Sequence, residues 1–98
     1  MAKLTYELIK VPNLNFSTML NGYTVTVHLR TFRGIVYASV YLEDKLYEAG
    51  RKAVLNQPLF TGRVNRKLGG EFMFEGEGED YLDWNEYGDR CRLVFVEY

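Results

Sequence analysis

Apolar and polar residues alternate along most of this chain, and a period of two residues predicts β-strands with one buried face. The clearest run is Tyr23 to Phe32, in which Val25 and Val27 share one face while His28 and Arg30 lie on the other. We expect this strand to cover the core with its apolar side and to meet water with its polar side. Similar runs predict strands at Leu4 to Ile9, Asn15 to Leu20, Ile35 to Glu43, Leu46 to Glu48, Glu71 to Glu75 and Arg90 to Tyr98.

Short turn motifs separate the early runs. Asn21-Gly22 lies between two alternating segments, and this pair readily takes the positive φ angles of a type I′ hairpin turn. Arg33-Gly34 and Asp44-Lys45 are predicted to form the next two turns. Because local turns join antiparallel neighbours, the sequence predicts an all-β fold, a small antiparallel barrel or sandwich of six to seven strands.

Two segments depart from the alternating pattern. From Ala49 to Gly70 the period is lost and glycine and proline recur, which predicts a long middle loop with at most a short strand or turn at Ala53 to Leu55. An acidic loop follows the strand at Glu71 to Glu75, and Tyr81 to Tyr87 is predicted to form a helical turn. Asp80 and Asp83 are the candidate capping residues for that turn.

Composition sets limits on the class of protein. With 98 residues, 47% of them apolar, the chain is predicted to form a single domain over residues 1–98 with a buried core. One cysteine excludes an internal disulfide, which fits folding in a cytosol. No run approaches the roughly 20 apolar residues of a membrane span, so we expect no membrane segment and no secretion signal. The net charge of −1 argues against a general nucleic-acid binder.

No residue pattern predicts a catalytic or metal site. His28 lies among polar strand residues with no cysteine nearby, and Cys91 alternates with Leu93 and Phe95, so a solvent-facing histidine and a buried thiol are expected. The acidic run at residues 75–83 has oxygen ligands suited to calcium, but its spacing differs from the EF-hand loop. We interpret it as a solvated loop, and we expect neither a cofactor nor a bound metal.

The order of the charged residues is more informative than their number. Every charged residue of the middle segment is basic, and every charged residue from Glu71 to Asp89 is acidic. The two segments either neutralise each other within one molecule or face complementary patches on neighbouring subunits, where charge fixes orientation. On the second interpretation the candidate interaction residues are Arg51, Lys52, Arg63, Arg66, Lys67, Glu77, Glu79 and Asp80.

Several motifs occur here in an order found in one known family. They are Pro12-Asn13, Phe16, Leu20-Asn21-Gly22, an alternating strand that ends Leu29-Arg30, Leu68-Gly69-Gly70, an acidic loop, and Gly88-Asp89-Arg90-Cys91-Arg92-Leu93. In this order the chain resembles the small baseplate plug proteins of contractile-tailed bacteriophages, from about Leu4 to Tyr98. Departures from the family pattern are Asp44-Lys45 and the stretch at residues 54–58.

The resemblance implies a non-enzymatic structural component of the virion, assembled in the host cytoplasm, that plugs or organises the central hub near the end of the tail tube. The implied partners are other baseplate hub and tail-tube proteins, with a homo-oligomer as a further option. Two alternatives stay open. One is a small nucleic-acid module of the OB or SH3-like kind, in which Tyr37 and Tyr41 stack bases and Arg63, Arg66 and Lys67 follow the phosphates. The other is a small regulatory or inhibitor protein.

Overall fold

A computed structural model of the chain describes residues 3–77 and 82–98. These residues form two antiparallel sheets that pack face to face without closing into a barrel. The four-stranded sheet has the order β2-β3-β4-β5 and the three-stranded sheet the order β1-β7-β6. The elements are β1 (Lys3–Tyr6), β2 (Asn13–Leu20), β3 (Tyr23–Phe32), β4 (Ile35–Leu42), β5 (Lys45–Lys52), α1 (Gly62–Leu68), β6 (Gly70–Gly76), a 3-10 turn (Trp84–Glu86) and β7 (Cys91–Glu97). Within the described residues, no helix is long and apolar enough to cross a membrane.

Three tight turns build the four-stranded sheet as a meander. Asn21-Gly22 joins β2 to β3 with φ angles of 50° and 82°, which confirms the predicted hairpin turn. Arg33-Gly34 repeats this geometry between β3 and β4. The third turn is formed by Glu43-Asp44, one residue before the predicted Asp44-Lys45, because Glu43 and Asp44 take the two positive φ angles.

The core lies between the two sheets, and each strand contributes alternate residues to it. Val25, Val27 and Leu29 of β3 are fully buried, as the alternation in the sequence predicted. The three-stranded sheet supplies the larger side chains, whose rings meet edge to face in pairs such as Phe72 and Phe95, with ring centroids 5.1 Å apart. Sheets packed in this way form a sandwich, which settles the choice between barrel and sandwich.

The predicted long middle loop is wrong for most of its length. The alternation of apolar and polar residues has been lost by Gly50, which has φ of 65° and lies at one of two irregularities in β5. The strand nevertheless stays paired with β4 beyond this point and continues to Lys52. Residues 55–59 then follow the edge of β6, with backbone hydrogen bonds from Asn56 to Phe74 and from Leu59 to Phe72. Helix α1 completes the segment and buries Val64 and Leu68 in the core.

The late acidic segment matches the prediction where it is described. Asp83 caps the 3-10 turn because its carboxylate accepts the backbone N–H of Asn85 at 2.9 Å. Glu77 is exposed at the end of the first described range. Glu79 and Asp80, two of the candidate interaction residues, lie outside the described residues, as does Tyr81.

Candidate interaction surface

A β-bulge in β5 brings two consecutive side chains to helix α1. Tyr41 of β4 pairs with Leu46 and Val40 pairs with Glu48, so Tyr47 is the extra residue. A bulge bends its strand and changes the direction of the local side chains. As a result, Glu48 accepts hydrogen bonds from the backbone N–H and the hydroxyl of Thr61, both at 2.8 Å, and fixes the start of α1 against β5.

The ring of Tyr47 lies at the centre of three cationic side chains. The Nζ atoms of Lys45 and Lys67 are each 5.6 Å from its centroid, and the Cζ atom of Arg63 is 5.5 Å away. Cation–π contacts at this distance each contribute about 0.5–1 kcal/mol at exposed sites. We call Lys45, Arg63 and Lys67 the basic cluster. Arg66 is exposed on the same short helix and adds to its positive charge.

The basic cluster has no carboxylate partner among the residues that the structure describes. The ion pairs among the described residues lie elsewhere. One is formed within β5, and the others join acidic residues at positions 75–89 to cations outside the basic cluster. These pairs are Arg51 with Glu48 at 3.7 Å, Lys3 with Glu75 at 2.8 Å, Arg90 with Glu86 at 3.4 Å, and Lys10 with Asp89. In the described ranges, therefore, Lys45, Arg63 and Lys67 form no direct ion pair with the acidic segment.

The predicted interaction residues thus divide into separate groups. Arg63 and Lys67 lie together over Tyr47, whereas Arg51 is held by Glu48 and Lys52 ends β5 opposite Tyr37. Glu77 lies elsewhere, beside an open depression of about 510 Å³ that is also lined by Gly76, Asp89, Arg90 and Arg92. The sequence did not reveal Lys45 or Tyr47 as members of the surface, because only the bulge brings them to the helix.

The two residues considered for catalysis are in environments that favour their neutral forms. Burial raises the pKa of the Cys91 thiol to about 11, so the nucleophilic thiolate is scarce at neutral pH. The His28 ring packs 4.6 Å from the Tyr41 ring, and partial burial, followed by the charge of Arg30, lowers the pKa of the imidazole. Among the described residues, no three His, Cys, Asp or Glu side chains are placed to hold a metal ion.

Tyr37 and Tyr41 lie on the outer face of the four-stranded sheet, because they alternate with buried residues of β4. Tyr37 is paired across the sheet with Arg30 on one side and Lys52 on the other. Helix α1 packs instead against β6, on the side of the core. Tyr37 and Tyr41 therefore lie on a different face from α1, so the structure does not place them beside Arg63, Arg66 and Lys67.

Comparison with models of known protein families gives a match. The family model described as cyanophage baseplate Pam3 plug gp18 matches residues 1–98, which is the whole chain given. A search of curated proteins finds no match.

Proposed function

The chain belongs to the cyanophage baseplate plug family, and from this premise we propose that it is a non-enzymatic part that plugs or organises the central hub of the tail baseplate through protein contacts. The family is one of structural components of the virion tail baseplate. Beyond that, the proposal includes assembly in the host cytoplasm and direct contact with hub and tail-tube proteins. The observation that most directly supports a docking surface is the grouping of the basic cluster around Tyr47.

The basic cluster has the properties of a preformed docking site. Its cations are held around one ring, and α1 is fastened by Val64 and Leu68 in the core and by the Glu48 carboxylate at Thr61. A surface fixed in this way loses little side-chain freedom when a partner binds. Because it lacks a carboxylate within the described residues, its complement is an acidic patch on a baseplate neighbour, which would steer docking and fix its orientation.

The acidic segment is proposed as a second contact, with Glu77, Glu79 and Asp80 as its residues. Glu77, the one of these residues that the structure describes, lines a depression that contains no residue of the basic cluster, which supports the idea that each segment meets a different neighbour. A variant in which Glu77, Glu79 and Asp80 are all changed to serine tests this second contact.

Removal of two cluster charges tests the proposal. Arg63→Gln together with Lys67→Gln should weaken incorporation into tail particles, with a loss of about 2 kcal/mol or more in association, or roughly thirtyfold in affinity. Two cation–π contacts, together about 1–2 kcal/mol, are lost in the free domain, so its melting temperature should fall by about 4–16 °C while the fold is retained. Incorporation is measured as the amount of the chain per purified tail.

The matched control removes two exposed cations that lie outside both proposed contacts, Lys3→Gln with Arg33→Gln, and leaves the net charge equal to that of the test variant. The control should incorporate as the wild type does. Equal incorporation of the test and control variants would exclude the basic cluster as a docking site.

A nucleic-acid module is the second candidate, and the row of Arg30, Tyr37 and Lys52 on the open sheet face is the observation that favours it. Aromatic rings beside cations bind single strands by stacking and charge. We expect no micromolar affinity for an oligonucleotide at moderate salt. A salt-sensitive affinity that is lost in Tyr37→Ala with Tyr41→Ala would favour this candidate over a docking protein.

A further inference from the structure

The two sheets have four outer edges, and three of them are protected against pairing with another strand. β5 is bulged and carries Lys45, Arg51 and Lys52. β6 is covered by residues 55–59 through backbone hydrogen bonds. β1 is only four residues long and contains Lys3. Short length, bulges, charge and cover are the usual ways in which proteins prevent edge-to-edge association.

The fourth edge, β2, has none of these features. Its eight residues include no charged residue and no proline, and its register with β3 runs without a shift from Asn13 opposite Arg30 to Leu20 opposite Tyr23. Because Leu20 and Tyr23 flank a two-residue turn, they form a hydrogen-bonded pair, and the pairs alternate from there. The backbone N–H and C=O groups that point to the open side therefore belong to Asn13, Asn15, Ser17 and Met19.

The flank of the sandwich beneath this edge is also incompletely covered. Tyr6 of β1 packs against Phe16 of β2, with ring centroids 5.3 Å apart, so β1 and β2 lie on the same side of the molecule. Leu4 shares the inward face with Tyr6 but is 42% exposed. Leu14 and Phe16 are only partly buried, whereas the residues of the neighbouring β3 that face the core are fully buried.

We propose that β2 pairs in antiparallel fashion with β2 of a second copy of this chain, about a two-fold axis at Phe16. This register places Asn13 opposite Met19 and Asn15 opposite Ser17 of the second copy. Each of these pairs exchanges two backbone hydrogen bonds, so every outward group of the four residues finds a partner. The two four-stranded sheets become one continuous sheet.

A second copy fits this edge because the strand is neutral. In a two-fold dimer the same strand faces itself, so any charge on it would lie near an identical charge. β5 would bring lysine and arginine side chains together in such an arrangement, whereas β2 presents only asparagine, serine and methionine on its outer face. The register also keeps outward residues opposite outward residues, as a continuous sheet requires.

Association of the purified chain tests the proposal. Sedimentation velocity from micromolar to millimolar concentration should show a reversible dimer. Asn15→Pro removes an N–H group that points to the open edge, and by symmetry two interchain hydrogen bonds, so the dissociation constant should rise by about tenfold or more. Asn15→Thr is the matched control, since it keeps the N–H group and should dimerise as the wild type does.

A second variant guards against misfolding of the proline variant. Asn15→Lys with Ser17→Lys keeps every backbone group but places lysines opposite each other across the two-fold axis, so its dissociation constant should also rise by about tenfold or more. Both test variants should melt at the temperature of the dilute wild-type monomer, which shows that the fold is retained.

Amide hydrogen exchange identifies the strand directly. In the wild type, exchange at Asn15, Ser17 and Met19 should slow as the concentration rises, while exchange at Leu14 and Phe16, which already pair with β3, should not change. A chain that stays monomeric at millimolar concentration would overturn the proposal. A dissociation constant that is unchanged in both test variants would do the same, because the dimer would then use another surface.

Discussion

At the scale of single residues, the hairpin turns depend on positive φ angles. Glu43 and Asp44 have φ of 50° and 66°, a conformation that costs a residue with a Cβ atom about 1–2 kcal/mol. Gly22, with φ of 82°, avoids this cost, and it has open space on the side where a Cβ would lie. Backbone conformation alone therefore makes glycine the preferred residue at this turn.

We predict that Gly22→Val lowers the free energy of unfolding by about 1–2 kcal/mol, because a β-branched residue is strained at positive φ. Urea denaturation measures the difference. Gly22→Asn is the control and should cost less, since asparagine adopts this conformation more readily. A valine variant as stable as the wild type would show that the turn does not constrain the backbone.

Single residues were partly predictable from the sequence. The alternation around Cys91 predicted that this side chain is buried. His28 shares its strand face with polar residues, which predicted a position away from the core. The ring contact between His28 and Tyr41 was not predictable, because it depends on which residues the β3–β4 register places side by side. The local sequence pattern shows on which face of its strand a side chain lies. Which side chain of the next strand lies beside it depends on the register.

At the scale of elements, strands with unbroken alternation were predicted well. The strand at Tyr23–Phe32 has the predicted bounds, the strand at Ile35–Leu42 ends one residue before the predicted end, and the strand at Cys91–Glu97 is shorter than predicted by one residue at each end. β5 was predicted too short, since its two irregularities disturb the period of two on which the prediction rests. Regular pairing is visible in a sequence, whereas a bulge is not.

Helix α1 was missed for a physical reason. It has seven residues, begins at Gly62, and its N-cap residue Thr61 makes no side-chain capping bond. Helices this short are marginal alone, so α1 depends on tertiary contacts. The four-residue spacing of Val64 and Leu68 was the one local signal, and it is too brief to separate a helix from a loop.

The dependence of α1 on tertiary contacts leads to a prediction. The Glu48 side chain is 12% exposed and holds both polar groups of Thr61, so Glu48→Ala should leave a backbone donor poorly paired and destabilise the protein by about 2 kcal/mol. Thermal melting measures this, with an expected decrease of roughly 8–16 °C. Glu97→Ala, which removes an exposed carboxylate at the end of β7, should melt near the wild type. Equal melting of the two variants would contradict the role of Glu48.

At the scale of the whole molecule, the class of fold was predictable and the surface was not. Alternation and tight turns identify an antiparallel all-β domain, but barrel and sandwich share that pattern, and only the division of the strands into two separate sheets distinguishes them here. The segregation of charge along the chain was visible in the sequence. The gathering of Lys45, Arg63 and Lys67 around Tyr47 required the bulge and the helix, and neither was predicted.

The chain belongs to a baseplate plug family, and we propose that it acts as a docking part at the tail hub. Electron cryo-microscopy of intact tails from a phage that encodes the chain tests it most directly. The account predicts density for the two-sheet domain at the centre of the baseplate, with Arg63 and Lys67 within about 4 Å of carboxylates on a neighbouring protein. A baseplate without this domain, or one in which α1 faces solvent in every copy, would contradict the account.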